Sequence, residues 1–222
     1  MKLSAQTPLP ASVQAPGYDR AAQAAGIVHI GIGAFHRSGD VAAQLGPQDG
    51  LYTVSTRSAA GTELRLIGVV QKVLVAADDP QAVIDAIAAP TTHIVSFTVT
   101  EKGYLRRPDG SLDLPEAAGG SSLYRFVAAG LAVRKAAGLP GLTLLSCDNL
   151  AGNGAVLRRL MRDYLAAYHP DLSAWFDSEC RCPATMIDRI VPATTEADRA
   201  DVEAVLGVRD EGAVVTEAFS QW

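Results

Sequence analysis

Apolar and polar positions along the chain alternate between two periods, and the change of period marks out the elements. Residues 27–32 form a short apolar run rich in β-branched side chains, which predicts a buried parallel strand. A helix is predicted over 34–45, ended by Gly46-Pro47, followed by a turn at Asp49-Gly50 and a strand over 51–56. A long apolar run over 64–75 is placed to pair with that strand across the polar link 58–61. Asp78-Asp79-Pro80 reads as a helix start, with Val83, Ile84 and Ile87 on one face and Pro90 as the stop. Strands are then predicted over 93–100, 142–145 and 186–191. Helices are predicted over 123–137, from Gly154 to Tyr168, from Pro170 onward through Leu172, Trp175 and Phe176, and over 197–206. Residues 107–122 read as loop and 214–222 as an extended tail. Strand–helix alternation of this kind predicts an α/β fold built on a doubly wound, mainly parallel sheet. Residues 1–20, broken by Pro8, Pro10 and Pro16, are expected to be an irregular lead-in, and 213–222 to begin a link to a following domain.

Composition narrows the function classes. With 222 residues and 48% hydrophobic side chains the chain can bury a sizeable core, and it is expected to form a single domain over 1–222. A net charge of −5 supplies no basic footprint, so nucleic acid is not an expected partner. No apolar run reaches the roughly 18 residues of a membrane span, and the first twenty residues lack the apolar core of a secretory signal. Three cysteines, Cys147, Cys180 and Cys182, suit a reducing cytoplasm, and Cys180-x-Cys182 lacks the second ligand pair a metal needs. Trp222 closes the chain on an apolar residue, which reads as a cut. Neither a G-x-S-x-G elbow nor a G-x-x-x-x-G-K-[ST] loop is present.

Four polar clusters follow predicted strands: residues 31–37, 100–104, 146–149 and Asp188-Arg189. Their convergence on one sheet edge is the layout of a ligand crevice. Gly31 and Gly33 free backbone N–H groups to approach a phosphate, although His36 stands where a third glycine is usual. The same two glycines also suit an ordinary strand-to-helix turn. Singly, Asp148-Asn149 reads as a cap, Asp188-Arg189 as an ion pair, Lys102 as a solvated lysine and His29 as a satisfied core histidine.

Six runs in order, IVHIGIGAFHR, LGPQDGLYTV, VSFTVTEKGYL, LLSCDNLAGNG, MIDRIVPATT and VVTEAFSQW, resemble the polyol-specific long-chain dehydrogenases, the mannitol dehydrogenase and fructuronate reductase group. The resemblance implies a trimmed Rossmann-like domain that binds NAD, with NADP left open, and a helical C-terminal domain absent from these residues. It implies hydride transfer, without metal, to or from a sugar alcohol, keto-sugar or hexuronate. Ile30, Gly31, Ile32, Gly33, Ala34, Phe35, His36 and Arg37 match the cofactor loop, and Thr100, Glu101 and Lys102 are assigned to the cofactor as well. Asn149 matches an asparagine that holds the reacting oxygen, and Asp188 an aspartate beside the catalytic centre. The group's lysine acid/base lies in a K-x-x-x-x-N-x-x-H run that these residues lack, and the stretch between Arg37 and Gln48 is shorter than in the group. The expectation is a cytoplasmic cofactor domain, inactive alone and prone to self-association through Val214, Val215, Phe219 and Trp222. The alternative is a non-catalytic interaction module that no longer binds cofactor.

Overall fold

The computed structural model describes residues 1–31, 38–120, 122–187 and 189–221, with the backbone alone over 38–41. In chain order its elements are β1 (Val13–Gln14), β2 (Ile27–Ile30), α1 (Ser38–Leu45), β3 (Tyr52–Ser58), β4 (Gly61–Ile67), α2 (Pro80–Ala88), β5 (Ile94–Phe97) and α3 (Thr100–Gly103). These are followed by α4 (Leu114–Ala118), α5 (Leu123–Ala136), β6 (Thr143–Ser146), α6 (Asn153–Tyr168), α7 (Pro170–Glu179), α8 (Glu196–Leu206) and β7 (Val214–Glu217). Among the described residues four of the five strand pairings are parallel, so the fold is the expected Rossmann-like α/β arrangement. The strands are divided between two compact units, each with its own core.

The larger unit comprises Ala24–Ser38 and Leu74–Ile187. Its parallel sheet runs β2-β5-β6, with Ile30 beside Phe97 and Phe97 beside Ser146. Side chains alternate across these strands. Val95, Phe97 and Leu144 are fully buried against the helices, while Ile27 on the opposite face is 54% exposed. Helix α2 starts as its sequence dictates, with the Asp79 carboxylate accepting from the Ala82 N–H and Pro80 in the first turn. It lies close on α5 because Gly130 has no side chain to hold Ile87 away. The guanidinium of Arg134, with no exposed surface, donates to the Ala89 carbonyl beyond α2 at 2.7 Å and to the Pro140 carbonyl at 3.0 Å. It also reaches the Ile87 and Ala88 carbonyls in the last turn of α2, at 3.4 Å each, where a helix end has no following turn to bond them.

The smaller unit comprises Met1–Gln23, Gly39–Val73 and Asp188–Trp222, on a sheet of order β1-β4-β3-β7. β3 and β4 form the expected hairpin, turning tightly between Ser58 and Gly61. Helix α8 opens with a capping box in which Thr195 and Asp198 bond reciprocally. Among the described residues no helix is long and apolar enough to cross a membrane.

The lead-in over 1–20 forms no regular element besides β1, which pairs in parallel with β4, and Leu3 within it is fully buried. Several expectations need correction. The strand expected over 64–75 ends at Ile67, the residue opposite Tyr52 where β3 begins, because no partner backbone continues beyond it. The loop over 107–122 contains α4, capped by Asp113 and anchored by the buried Ala117. Among the described residues of 186–191 none lies in a strand. Met186 and Ile190 are 69% and 65% exposed, and β6 instead borders Arg181, whose backbone exchanges hydrogen bonds with Leu142 and Leu144. Apolar character alone does not make a strand without a free sheet edge to pair with. The tail contains a strand: Val214 and Val215 lie in β7 beside β3, with Val215 buried and Val214 half-buried.

Candidate functional site

The site of interest is the carboxyl-terminal edge of the β2-β5-β6 sheet. Because the three strands are parallel, they deliver their following residues to the same edge. The Thr98 N–H donates to the Ile30 carbonyl at 3.0 Å, and the Cys147 N–H donates to the Phe97 carbonyl at 2.8 Å. Gly31, Thr98 and Cys147 therefore stand abreast as the first residues beyond the strands. Two of the four polar clusters predicted at strand ends, 100–104 and 146–149, are brought together here, beside Gly31 of a third.

Asp148 connects two of these tips. One carboxylate oxygen accepts from the Thr100 N–H at 2.9 Å, and the other from the Val99 N–H at 3.1 Å and the Tyr104 hydroxyl at 2.9 Å. The Tyr104 and Ser146 hydroxyl oxygens are 2.5 Å apart, and both residues are fully buried. Burial, reinforced by the nearby Asp148 charge, pushes the Tyr104 phenol far above its ordinary value, so it remains a protonated donor. Burial likewise raises the Cys147 thiol, with Asp148 adding to the shift, which disfavours a thiolate nucleophile.

A second connection runs to the segment after α7. The Asn153 amide nitrogen lies 3.2 Å from the Asp148 carbonyl, 3.3 Å from the Ser146 carbonyl and 3.1 Å from both the Thr185 carbonyl and its hydroxyl. Its amide oxygen accepts from the Thr185 N–H at 3.0 Å. The glycines on either side explain the sequence GNG. Gly152 takes φ +62° as the helix cap, and a side chain at Gly154 would lie 2.4 Å from the Pro183 carbonyl oxygen.

The predicted site residues are distributed as follows. Ile30 is half-buried at the end of β2, and Gly31 directly follows it. Thr100, Glu101 and Lys102 form α3 at the tip of β5, with Glu101 and Lys102 exposed. Asn149 is exposed at the tip of β6. Ile32, Gly33, Ala34, Phe35, His36, Arg37 and Asp188 lie outside the described residues. Arg189 donates to the Glu217 carbonyl at 3.1 Å. His29 is exposed rather than in the core as expected, and it bonds Ser96 and Thr98 across the strands at 2.8 Å each. Sequence reasoning placed Tyr104 and Ser146 in the polar clusters 100–104 and 146–149 without giving either a role, and it did not single out Asn153, which follows the second cluster by four residues. Among the described residues no group of three or more His, Cys, Asp or Glu could hold a metal ion.

Comparisons with known proteins agree with this geometry. The family pattern described as the mannitol dehydrogenase Rossmann domain matches residues 38–222. The chain is 34% identical to the mannitol 2-dehydrogenase of Phaeosphaeria nodorum, over 95% of this chain and 44% of that protein. It is 38% identical to the oxidoreductase YdfI of Escherichia coli, over 96% of this chain and 52% of that protein. Among solved structures, the Pseudomonas fluorescens mannitol 2-dehydrogenase in ternary complex with NAD and D-mannitol superimposes with a TM-score of 0.85 at 34% identity. That match covers all of this chain and 54% of the other. A D-sorbitol dehydrogenase in substrate-free form superimposes with a TM-score of 0.90 at 30% identity, also over all of this chain and 54% of the other. The chain thus spans about half the length of the relatives it matches. The alignments to the first two run over 250 and 252 residues while using 95% and 96% of a 222-residue chain, so those relatives carry internal residues with no counterpart here. The match covering most of the chain, together with the parallel strand tips it encloses, makes this chain a member of the mannitol dehydrogenase family.

Proposed function

We propose that the chain is the cofactor-binding part of an NAD-dependent polyol oxidoreductase, acting on a sugar alcohol such as mannitol or on the related keto-sugar or hexuronate. The observation that carries this reading is the alignment of Gly31, Thr98 and Cys147 at the carboxyl ends of three parallel strands. The donors at that edge suit an anionic, hydroxyl-rich ligand: the exposed Lys102 ammonium, the Asn149 amide and the Thr100 hydroxyl. When bound, the nicotinamide would supply or accept the hydride. Thr100, Glu101, Lys102 and the 30–37 segment would hold the cofactor. The Asn149 amide would donate to the substrate oxygen as it gains negative charge, which stabilises the transition state more than the ground state. Asp188 belongs to the same proposal, beside the reacting centre. We place both units in the single functional domain expected over 1–222, and the protein in the cytoplasm, in keeping with its three free cysteines.

These 222 residues contain no K-x-x-x-x-N-x-x-H run, so the acid/base that the resemblance implies is not among them. General acid–base catalysis contributes roughly 10² to 10⁴ in rate, and the chain alone is expected to bind cofactor without turnover. Fluorescence titration with NADH, followed by assays with mannitol, fructose, fructuronate and mannonate, tests both parts. Saturable binding without turnover is the expected result. Robust turnover would refute the inactivity, and no binding at millimolar NADH would favour a non-catalytic interaction module.

A further inference from the structure

Helix α3 is bracketed by two non-glycine residues in the left-handed region, Thr100 at φ +62° and Leu105 at φ +50°. A β-branched residue rarely adopts such a backbone, and it persists only where its surroundings over-determine it. Strain of this kind gathers at functional sites. The group that holds it here is the Asp148 carboxylate, which comes from a different strand. It takes the Val99 and Thr100 N–H groups at the entry to the turn and the Tyr104 hydroxyl at its exit. The exit is pinned twice more: the Tyr104 carbonyl accepts from the Tyr124 hydroxyl at 2.8 Å, and the Tyr104 hydroxyl meets Ser146. Asp148 is itself held, since the Asn153 amide reaches its carbonyl. The next residue, Asn149, is exposed, as are Glu101 and Lys102 on the turn that Asp148 grips.

We infer that Asp148 is a positioning residue: through Val99, Thr100 and Tyr104 it locks the 100–103 turn against the tip of β6, so that Lys102 and Asn149 meet a dinucleotide and its substrate already aligned. This inference rests on the cofactor reading above. A strand end needs only its backbone bonds, and a carboxylate gripping three donors across two tips supplies the rigidity that a preorganised site requires. Asp148 touches no ligand in this scheme and acts only through the groups it holds.

The test uses the whole 222-residue chain and the variants Asp148→Asn and Tyr104→Phe. Leu172→Ala, in the buried face of α7 and away from the strand tips, serves as a stability control. Amide hydrogen exchange over residues 98–105, NADH affinity by fluorescence and thermal midpoint are measured on each. Asp148→Asn is expected to speed exchange at Val99 and Thr100 and to weaken NADH binding by roughly tenfold or more. Tyr104→Phe is expected to do both more mildly, and Leu172→Ala to do neither at an equal or larger loss of thermal midpoint. Wild-type exchange and affinity in Asp148→Asn would overturn the inference, as would an affinity loss that merely tracks thermal midpoint across all three variants. Should Asp148→Asn fail to fold, Tyr104→Phe is judged by the same two outcomes. An unaltered chain that does not bind millimolar NADH would overturn the cofactor reading and the ligand half of this inference, while exchange at Val99 and Thr100 would still decide whether Asp148 holds the turn.

Discussion

One carboxylate oxygen of Asp210 accepts both the N–H and the hydroxyl of Thr53, each at 2.7 Å, across 157 residues of sequence. Both residues are fully buried. The other oxygen takes the Gln48 amide at 2.8 Å and the Gly212 N–H at 2.9 Å, while the Gln48 amide oxygen accepts from Glu211 N–H. A buried carboxylate is tolerable only when its oxygens are filled in this way. Asp210→Ala would strand four donors, and a destabilisation of about 3–5 kcal/mol is expected by urea denaturation. A loss below about 1 kcal/mol would show that the network is dispensable.

Two glycines should resist enlargement to different degrees. An added methyl at Gly130 would lie 2.4 Å from the Ile87 side chain, whereas at Gly154 it would lie 2.4 Å and 2.5 Å from the Pro183 and Cys182 carbonyl oxygens. Side chains yield more readily than backbone. Gly130→Ala is expected to cost about 1–3 kcal/mol, and Gly154→Ala more than that. Denaturation midpoints in the reverse order would contradict the packing described.

Acid should release the start of α8. Bonds from the Thr195 hydroxyl and N–H, and then from Arg57, hold the Asp198 carboxyl down to about 2 against an ordinary 3.8. A depressed carboxyl stabilises the fold above its unfolded value, and this contribution fades as pH falls from 3.8 through about 2. Carboxyl chemical shifts should place the Asp198 midpoint in that window. In Asp198→Asn the acid-dependent loss of α8 helicity should disappear.

The thiols of the larger unit should be sluggish. Burial pushes Cys182 up to about 12 and raises Cys180 as well, and Arg158 only partly opposes this. Both are neutral near pH 8, so iodoacetamide should label them slowly in the native chain and rapidly in urea, as followed by mass spectrometry. For Cys182 the same shift favours the native state below 9.0, and that contribution is lost as pH rises toward about 12. Rapid native labelling would show that the segment opens readily.

Local pattern was enough to find most elements. The β3–β4 hairpin, α2 with its Asp79 cap and the helices α5 to α7 follow from periodicity, Pro and Gly, because those signals act over a few residues. The strand tips that carry the site were legible for the same reason: each apolar run ends in polar residues. Residues 186–191 show the limit of that reasoning, since an apolar run becomes a strand only where a neighbour leaves an edge, and Arg181 already occupies the one beside β6.

By itself the sequence determined the α/β class, the polar ends of its strands and the family, since each is written in short ordered runs. Only the tertiary structure decided that the strands divide into two sheets, that Val214 is a pairing residue rather than an open tail, and that Asp148 holds Thr100 while Asp210 holds Thr53. Each of those facts depends on which distant residue arrives opposite. A side chain's identity states what it can bond, and only the assembled backbone settles what it meets.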